Sequence, residues 1–308
     1  MSAEKPVNWK TATCTPDPCL ICGSLAKQAL YLSTYTGSIE EAATYFLANR
    51  TATAHGPIVR CRNCGFVFTS PRFSDLEYDR IYREVRSPAD LDRSFEAAKA
   101  ARFRRLAAIV RKFQPRDTSF LDFGCGDGGF LRQFNSPGGR GFEICTEGRR
   151  MVGSCEIVTG DWATVAGSRI FPPAAFDFVV AFDVLEHLPR IGEDLALIRT
   201  VLRTGGHFFV SVPNIESFVA KALGKYWNML LLEHLWYFSP KTLERMMARY
   251  GFELLAIRSV PYDAPLGHLA TRLAQTFGMT GALRGGPISR LVLPIPAGIM
   301  LSVFRKTN

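Results

Sequence analysis

From Ser119 onward, short apolar runs alternate with amphipathic stretches. "SFLDFG", "GRGFEI", "SCEIVTG", "FDFVVAF" and "GGHFFVSVP" read as five strands, with helical spacing in "GGFLRQF" and "GEDLALIRTVLR" between them. Strands that alternate with helices form parallel β-α-β units. "SPKTLERMMARYGF" predicts a further helix, with Ser239 as N-cap, Pro240 at its first position and Gly251 at its end. "FELLAIRSV" and "GIMLSVFRK" are two late strands, and the Gly- and Pro-rich excursion over 261–297 holds one short helix near "HLATRLAQTF". Upstream, residues 76–114 read as helical, and Pro115 ends that stretch. Phe103, Leu106, Ala107, Val110 and Phe113 form its apolar stripe, which places Arg102, Arg104, Arg105, Arg111 and Lys112 on the other side. That basic side reads as a solvated face, with a surface for a phosphorylated or membrane-linked substrate as the functional alternative. Residues before about 75 have no strong periodicity, although "IEEAATYFLANR" has the makings of a helix. The organisation expected is a small module over 1–75, a helical linker over 76–116 and an α/β domain over 117–308.

The length of 308 residues suffices for one large domain and a small one. No run of 18 apolar residues is present to span a membrane, and "MSAEKPVNWK" lacks the apolar core of a signal peptide. A cytoplasmic location is therefore expected, with reduced thiols. The eight cysteines then read as metal ligands and core fillers more readily than as disulfides. A formal charge of +9 favours anionic partners such as phosphates, nucleic acid or acidic lipid.

Two pairs stand out among the cysteines. Cys19 and Cys22 in "CLIC", and Cys61 and Cys64 in "CRNC", are each Cys-x-x-Cys followed by glycine. Two such knuckles make a tetrahedral four-thiolate site, and four thiolates leave no open position for catalysis. A structural Zn2+ is expected there, although the insertion between the knuckles is longer than usual. Cys14 is a spare thiol, and Cys125, Cys145 and Cys155 read as small core fillers.

In "LDFGCGDGGF" the glycines lie between the first strand and its helix, where a doubly wound sheet binds its cofactor. Gly124, Gly126 and Gly129 match G-x-G-x-x-G, a pattern that alone suits NAD or FAD equally well. The wider stretch resembles motif I of class I S-adenosylmethionine-dependent methyltransferases. The resemblance continues in order through Glu143 at the end of the second strand, "GDW", "FDFVVAFDVLEHL", "LRTGGHFFVSVPN" and "EHLWYFSPKTLERMMARYGFELL". It implies a Rossmann-like seven-stranded sheet, parallel with an antiparallel final hairpin. It also implies S-adenosyl-L-methionine as cofactor, lying against the bare backbone of Gly124, Gly126 and Gly128. Asp122 would help hold the amino group, Glu143 the ribose hydroxyls and Asp161 the adenine amino group, with Trp162 beside it. Asp183 would face the methionine end. "CLICGS … VRCRNCGFVFTSPR … DRIYRE" resembles the zinc module attached to many bacterial methyltransferases of sugars, surface-glycan intermediates and specialised metabolites.

A hydroxyl acceptor must lose a proton, which calls for a base titrating near neutrality. His187 in "DVLEHLP" and His234 in "EHLWYFS", with Glu233 beside it, stand where such a base belongs, and a structural hydrogen bond is the alternative for each histidine. Trp227, Trp236 and Tyr237 read as core or as a wall of the acceptor pocket. The acceptor expected is a small molecule or glycan, which makes the reaction O-methylation of a sugar or other hydroxylated molecule. An RNA methyltransferase that grips nucleic acid with its zinc module is the competing class, and nucleic acid is disfavoured. The fourth strand exits into "DVLEH" and not into an Asn/Asp-Pro-Pro-aromatic motif.

Overall fold

The computed structural model describes residues 17–46, 54–84, 93–114, 118–134, 136–144, 150–267, 269–270 and 287–308. The first elements are β1 (Lys27–Tyr31), α1 (Ile39–Ala42), β2 (Ile58–Cys61) and β3 (Val67–Thr69), followed by α2 (Asp75–Glu84) and α3 (Arg93–Phe113). The α/β part runs β4 (Phe120–Phe123), α4 (Gly129–Phe134), β5 (Gly139–Glu143), β6 (Arg150–Val152), β7 (Cys155–Thr159), α5 (Trp162–Val165), β8 (Phe176–Phe182), α6 (Ile191–Val201) and β9 (Leu202–Pro213). It closes with α7 (Phe218–Leu223), β10 (Trp236–Tyr237), α8 (Pro240–Arg249), β11 (Phe252–Pro265) and β12 (Val292–Lys306). Cys14, Cys145, Pro115 and the expected helix near 268–277 lie wholly or mostly outside the described residues.

The large sheet has the order β11-β12-β9-β8-β4-β5-β7-β6. Strands β9, β8, β4, β5 and β7 are parallel, and β11 and β12 close the far side as an antiparallel hairpin. This is the expected Rossmann-like sheet, with β6 added at its edge as a three-residue partner of β7. The period-2 pattern of β8 explains why helices cover both faces. Phe178, Val180 and Phe182 join Leu106, Val110 and Phe130 on one side. Val179 and Ala181 join Leu195, Ile198 and Leu243 on the other. Phe120 and Phe178 stack in parallel with centroids 4.9 Å apart. Burying one such ring stabilises the fold by roughly 1.5–3 kcal/mol. The helix over Pro240–Arg249 has the cap read from sequence: Ser239 Oγ accepts from Thr242 N–H at 3.3 Å, and Pro240 opens the first turn.

The N-terminal strands form a second sheet in the order β1-β2-β3-β10. Its last strand comes from the other end of the chain, with Trp236 opposite Phe68 and Tyr237 opposite Val67. Trp236 stacks on Phe66 at 6.1 Å, and its indole N–H donates to Leu188 O at 2.7 Å. Trp227 donates to Ala297 O, and Tyr237 donates to Leu231 O. All three rings therefore belong to the packing, and none lines the cavity described below. The N-terminal sheet is thus welded to the α/β part and is not a separate bead. No described helix is long and apolar enough to cross a membrane.

The basic face of α3 also departs from expectation. Arg102 is buried and pairs with Asp183. Arg105 pairs with buried Asp263 at 2.8 Å, and Lys99 pairs with Asp127 at 2.7 Å. Two of the five basic positions therefore turn inward to carboxylates and do not form a free anion-binding surface.

Candidate active site and cysteine cluster

A cavity of about 410 Å³ opens at the carboxyl ends of β4, β5 and β8. The chain runs one way from β4 to β5 and β7 and the other way to β8 and β9, so this is the switch point where open α/β sheets bind ligands. Of the residues named from sequence, Gly124, Glu143, Asp161, Trp162, Asp183, His187 and Glu233 line it. Asp122, Gly126, Gly128 and His234 are not among its lining residues.

The glycines have distinct reasons. At Gly124, with φ +74°, an added Cβ would come within 2.5 Å of a Val184 methyl. At Gly128 it would press on Val152 and Ile157. At those two positions the chain's own packing already requires the absence of a side chain, and Gly124 also lines the cavity. At Gly126, with φ +55°, nothing lies within 4 Å. A side chain there would meet open space. Its N–H donates to Glu143 Oε2 at 2.7 Å, which ties the loop to the end of β5. Asp122 is buried beneath the loop. Its burial, and then the charges of Glu143 and Asp127, push its carboxyl well above the usual range.

Asp161 caps α5, accepting from Ala163 N–H at 3.3 Å and Thr164 Oγ1 at 3.0 Å. Trp162 packs edge-on against Phe123, with centroids 4.8 Å apart. Its buried indole N–H has no partner among the described residues. Asp183 holds φ +58°, a left-handed conformation that few non-glycine residues adopt. Three contacts hold it there: Arg102 Nη2 donates to its carboxylate at 2.5 and 2.7 Å, Ser211 Oγ donates at 2.8 Å, and its own N–H donates to Ser211 O at 2.9 Å.

His187 ends a short 3-10 turn, Leu185–His187, and its Nδ1 lies 3.1 Å from Glu233 O. A carbonyl can only accept, so in the neutral imidazole Nδ1 carries the proton and Nε2 the lone pair. His234 stands behind it, with the rings crossed at 4.7 Å and its Nδ1 2.8 Å from Met229 O. Burial, and then the neighbouring His187, hold the pKa of His234 well below its usual value.

Sequence reasoning missed two groups. Arg102 is the first. Its signal was its place four residues before Leu106 and eight before Val110, on the apolar stripe itself. The second is the rim formed by α2, where Asp79 pairs with Arg190 at 3.0 Å. Asp194 also lines the cavity, and burial pushes its carboxyl up to about 7.

The walls carry seven carboxylates (Asp79, Glu143, Asp161, Asp183, Glu193, Asp194, Glu233) against one guanidinium, Arg190. This field suits a cationic ligand and opposes a pyrophosphate. A sulfonium cofactor fits it. So do the carboxylate at the end of β5 for a diol, the unpartnered Trp162 indole N–H and the bare backbone at Gly126.

The four knuckle cysteines converge. Cys19 Sγ and Cys64 Sγ lie 3.4 Å apart, Cys22 Sγ and Cys61 Sγ lie 3.5 Å apart, and all four lie within 4.8 Å of one another. These separations are far beyond a disulfide bond. Zinc–sulfur bonds of 2.3 Å in a tetrahedron place sulfurs about 3.8 Å apart, close to what is seen. Gly23 N–H donates to Cys19 O at 2.7 Å, and Gly65 N–H donates to Cys61 O at 3.0 Å, with positive φ at both glycines. The turn that brings each pair of thiols together requires that backbone shape. Burial pushes the Cys19 thiol up. At Cys22 burial acts in the same direction, but hydrogen bonds from Ser24, Asn63 and the other thiols bring it down to about 6.

A family model for the methyltransferase domain matches residues 97–257. A ubiquinone biosynthesis O-methyltransferase of Burkholderia pseudomallei is 24% identical over 156 residues, covering 46% of this chain and 67% of the relative. The enzyme of the same description from Cupriavidus pinatubonensis is 24% identical over 164 residues, covering 48% of this chain and 65% of the relative. Among solved structures, the 1,6-didemethyltoxoflavin-N1-methyltransferase of Burkholderia thailandensis, with bound S-adenosylhomocysteine, aligns with a TM-score of 0.42 at 17% identity, covering 73% of this chain and 94% of the other. The matched family domain takes in more than half of the chain, including the glycine loop and every wall of the cavity except those from α2. On that match the chain belongs to the methyltransferase domain family and is an S-adenosylmethionine-dependent methyltransferase.

Proposed function

We propose that this chain methylates a hydroxyl group of a small molecule, in the class of sugars, glycan intermediates and similar hydroxylated metabolites. The observation that carries the reading is His187. It lines the cavity, and its Nδ1–H is tied to Glu233 O, so a bare Nε2 is available to take a proton. S-adenosylmethionine, when bound, supplies an electrophilic methyl group on a sulfonium. Glu143 would hold its ribose, Asp161 and Trp162 would flank its adenine, and the carboxylates around the cavity would balance its charge. His187 would take the proton from the acceptor hydroxyl, which would receive the methyl group in place of the departing sulfur. The relatives described as O-methyltransferases support a hydroxyl acceptor. The acidic walls and the modest volume speak against a nucleic-acid strand in this cavity.

The four-cysteine cluster would hold one structural Zn2+ through Cys19, Cys22, Cys61 and Cys64. The separated thiols fit a reducing compartment, and we place the protein in the cytoplasm. Replacing His187 by Ala tests the catalytic reading on a panel of hydroxylated acceptors. Turnover should fall by roughly 10²–10⁴, while affinity for S-adenosylhomocysteine stays unchanged. Full activity in the variant would remove the base and with it this mechanism.

A further inference from the structure

Beside His187 lies a group that transfer by a lone histidine does not require. Glu186 is 1% exposed, and its Oε2 is buried with no partner among the described residues. An unpartnered carboxyl oxygen in that position is costly, and a bound cation would complete it. The imidazoles of His187 and His234 are its neighbours. Each donates its Nδ1–H to a backbone carbonyl, at 3.1 and 2.8 Å, so each leaves Nε2 as a lone-pair donor. Metal-binding histidines are held in the same way, by giving their second nitrogen to a carbonyl or carboxylate. One ligand atom from each of Glu186, His187 and His234 lies within 4.8 Å of the others.

We propose that Glu186, His187 and His234 form a second metal site, separate from the four cysteines, for a divalent first-row transition ion. Two imidazoles and one carboxylate suit Mn2+, Fe2+, Co2+ or Zn2+, and such a set leaves coordination positions open. Ligand atoms about 2.1 Å from an ion sit roughly 3–3.4 Å apart, so side-chain movements on the order of an ångström close the set. His187 reaches the cavity wall, so an ion held here is accessible to an acceptor. The inference rests on the hydroxyl-transfer reading and deepens it. An ion at this point lowers the pKa of a hydroxyl bound to it. It favours acceptors with two neighbouring oxygens, which can occupy two open positions. With His187 engaged as a ligand, the ion replaces it as the means of deprotonation, and the hydroxyl proton leaves to solvent.

Mn2+ alone is the probe, added to protein whose cysteine cluster is loaded with zinc. Electron paramagnetic resonance counts free and bound ion, and calorimetry with S-adenosylhomocysteine reports an intact fold. One Mn2+ per chain is expected, with affinity lowered at least ~100-fold in Glu186→Gln and in His187→Asn, since losing a ligand should exceed the 10–100-fold loss seen for outer-shell partners. Absence of Mn2+ binding to the unmodified protein overturns the proposal, and so does binding that survives in both variants. Either result leaves the hydroxyl-transfer reading standing with His187 as its base, and that reading fails separately if the His187→Ala variant keeps full turnover.

Discussion

Arg102→Met is the sharpest test of how the site is held. The guanidinium reaches Asp183 at 2.5 and 2.7 Å, and the two side chains are 7% and 37% exposed. Removing one partner of a fully buried pair costs about 3–5 kcal/mol. Asp183 keeps contact with solvent, which screens part of that penalty, so about 2 kcal/mol is the reasoned figure. The methionine retains most of the apolar stem, so the change reports on charge and hydrogen bonding more than on volume. For a chain of this size the melting temperature should fall by roughly 3 °C. Asp183 would lose the partner that holds it at φ +58° against the cavity, so affinity for S-adenosylhomocysteine should fall about tenfold with it. Differential scanning calorimetry and titration calorimetry measure the two effects, and Arg102→Lys should lie between, with the charge kept and the fork lost. A methionine variant that melts within a degree of the parent and binds equally well would show that the pair holds nothing in place.

Three further outcomes are expected. Glu143→Gln should weaken S-adenosylhomocysteine binding by about 1.5–3 kcal/mol, through lost charge-assisted hydrogen bonds to the ribose, and unchanged affinity by titration calorimetry would remove that role. Metal analysis should find one zinc at the cysteine cluster. A strong chelator should shift the tryptophan emission as Trp236 loses its packing on Phe66, and an unaltered spectrum after confirmed zinc removal would count against a structural metal. Asp194 has its folded pKa raised to about 7, by burial first and then by Glu193 and Asp79, against the pull of Arg190. The native state therefore binds more protons than the unfolded chain between the ordinary carboxylate range and pH 7, and stability drains away as pH rises through that window. Asp194→Asn should be more stable than the parent at pH 8, with the gap narrowing at pH 5; a gap that does not change with pH contradicts the shift.

The sheet and its cofactor edge were legible because hydrophobic period and glycine placement are local signals. Glu143 and Asp161 could be placed at the cavity because one ends β5 and the other follows β7 by two residues. Arg102 was misplaced because a long charged side chain on an apolar stripe looks like its solvent-facing neighbours until its distant partner is known, and Asp183 lies 81 residues away. The glycine loop was legible as a site, but the reason for Gly124 was not, since Val184 meets it only through the fold. The joining of the two sheets was also hidden. A two-residue strand carries no period, and nothing local in "LWYF" points to Val67 and Phe68.

That joining has a consequence for how the chain is made. All four knuckle cysteines have been synthesised by residue 64, but β3 does not acquire its outer neighbour until the segment around Trp236 emerges; 165 residues separate Thr69 from His234, whose carbonyl it meets. At about 5–20 residues per second the interval is roughly 10–30 s. During it the nascent N-terminal sheet presents Val67 and Phe68 on an unpaired strand edge, which is a template for wrong pairing. A ribosome stalled before residue 236 should therefore hold a fragment that is sticky and protease-sensitive at β3, and one stalled well past it should not.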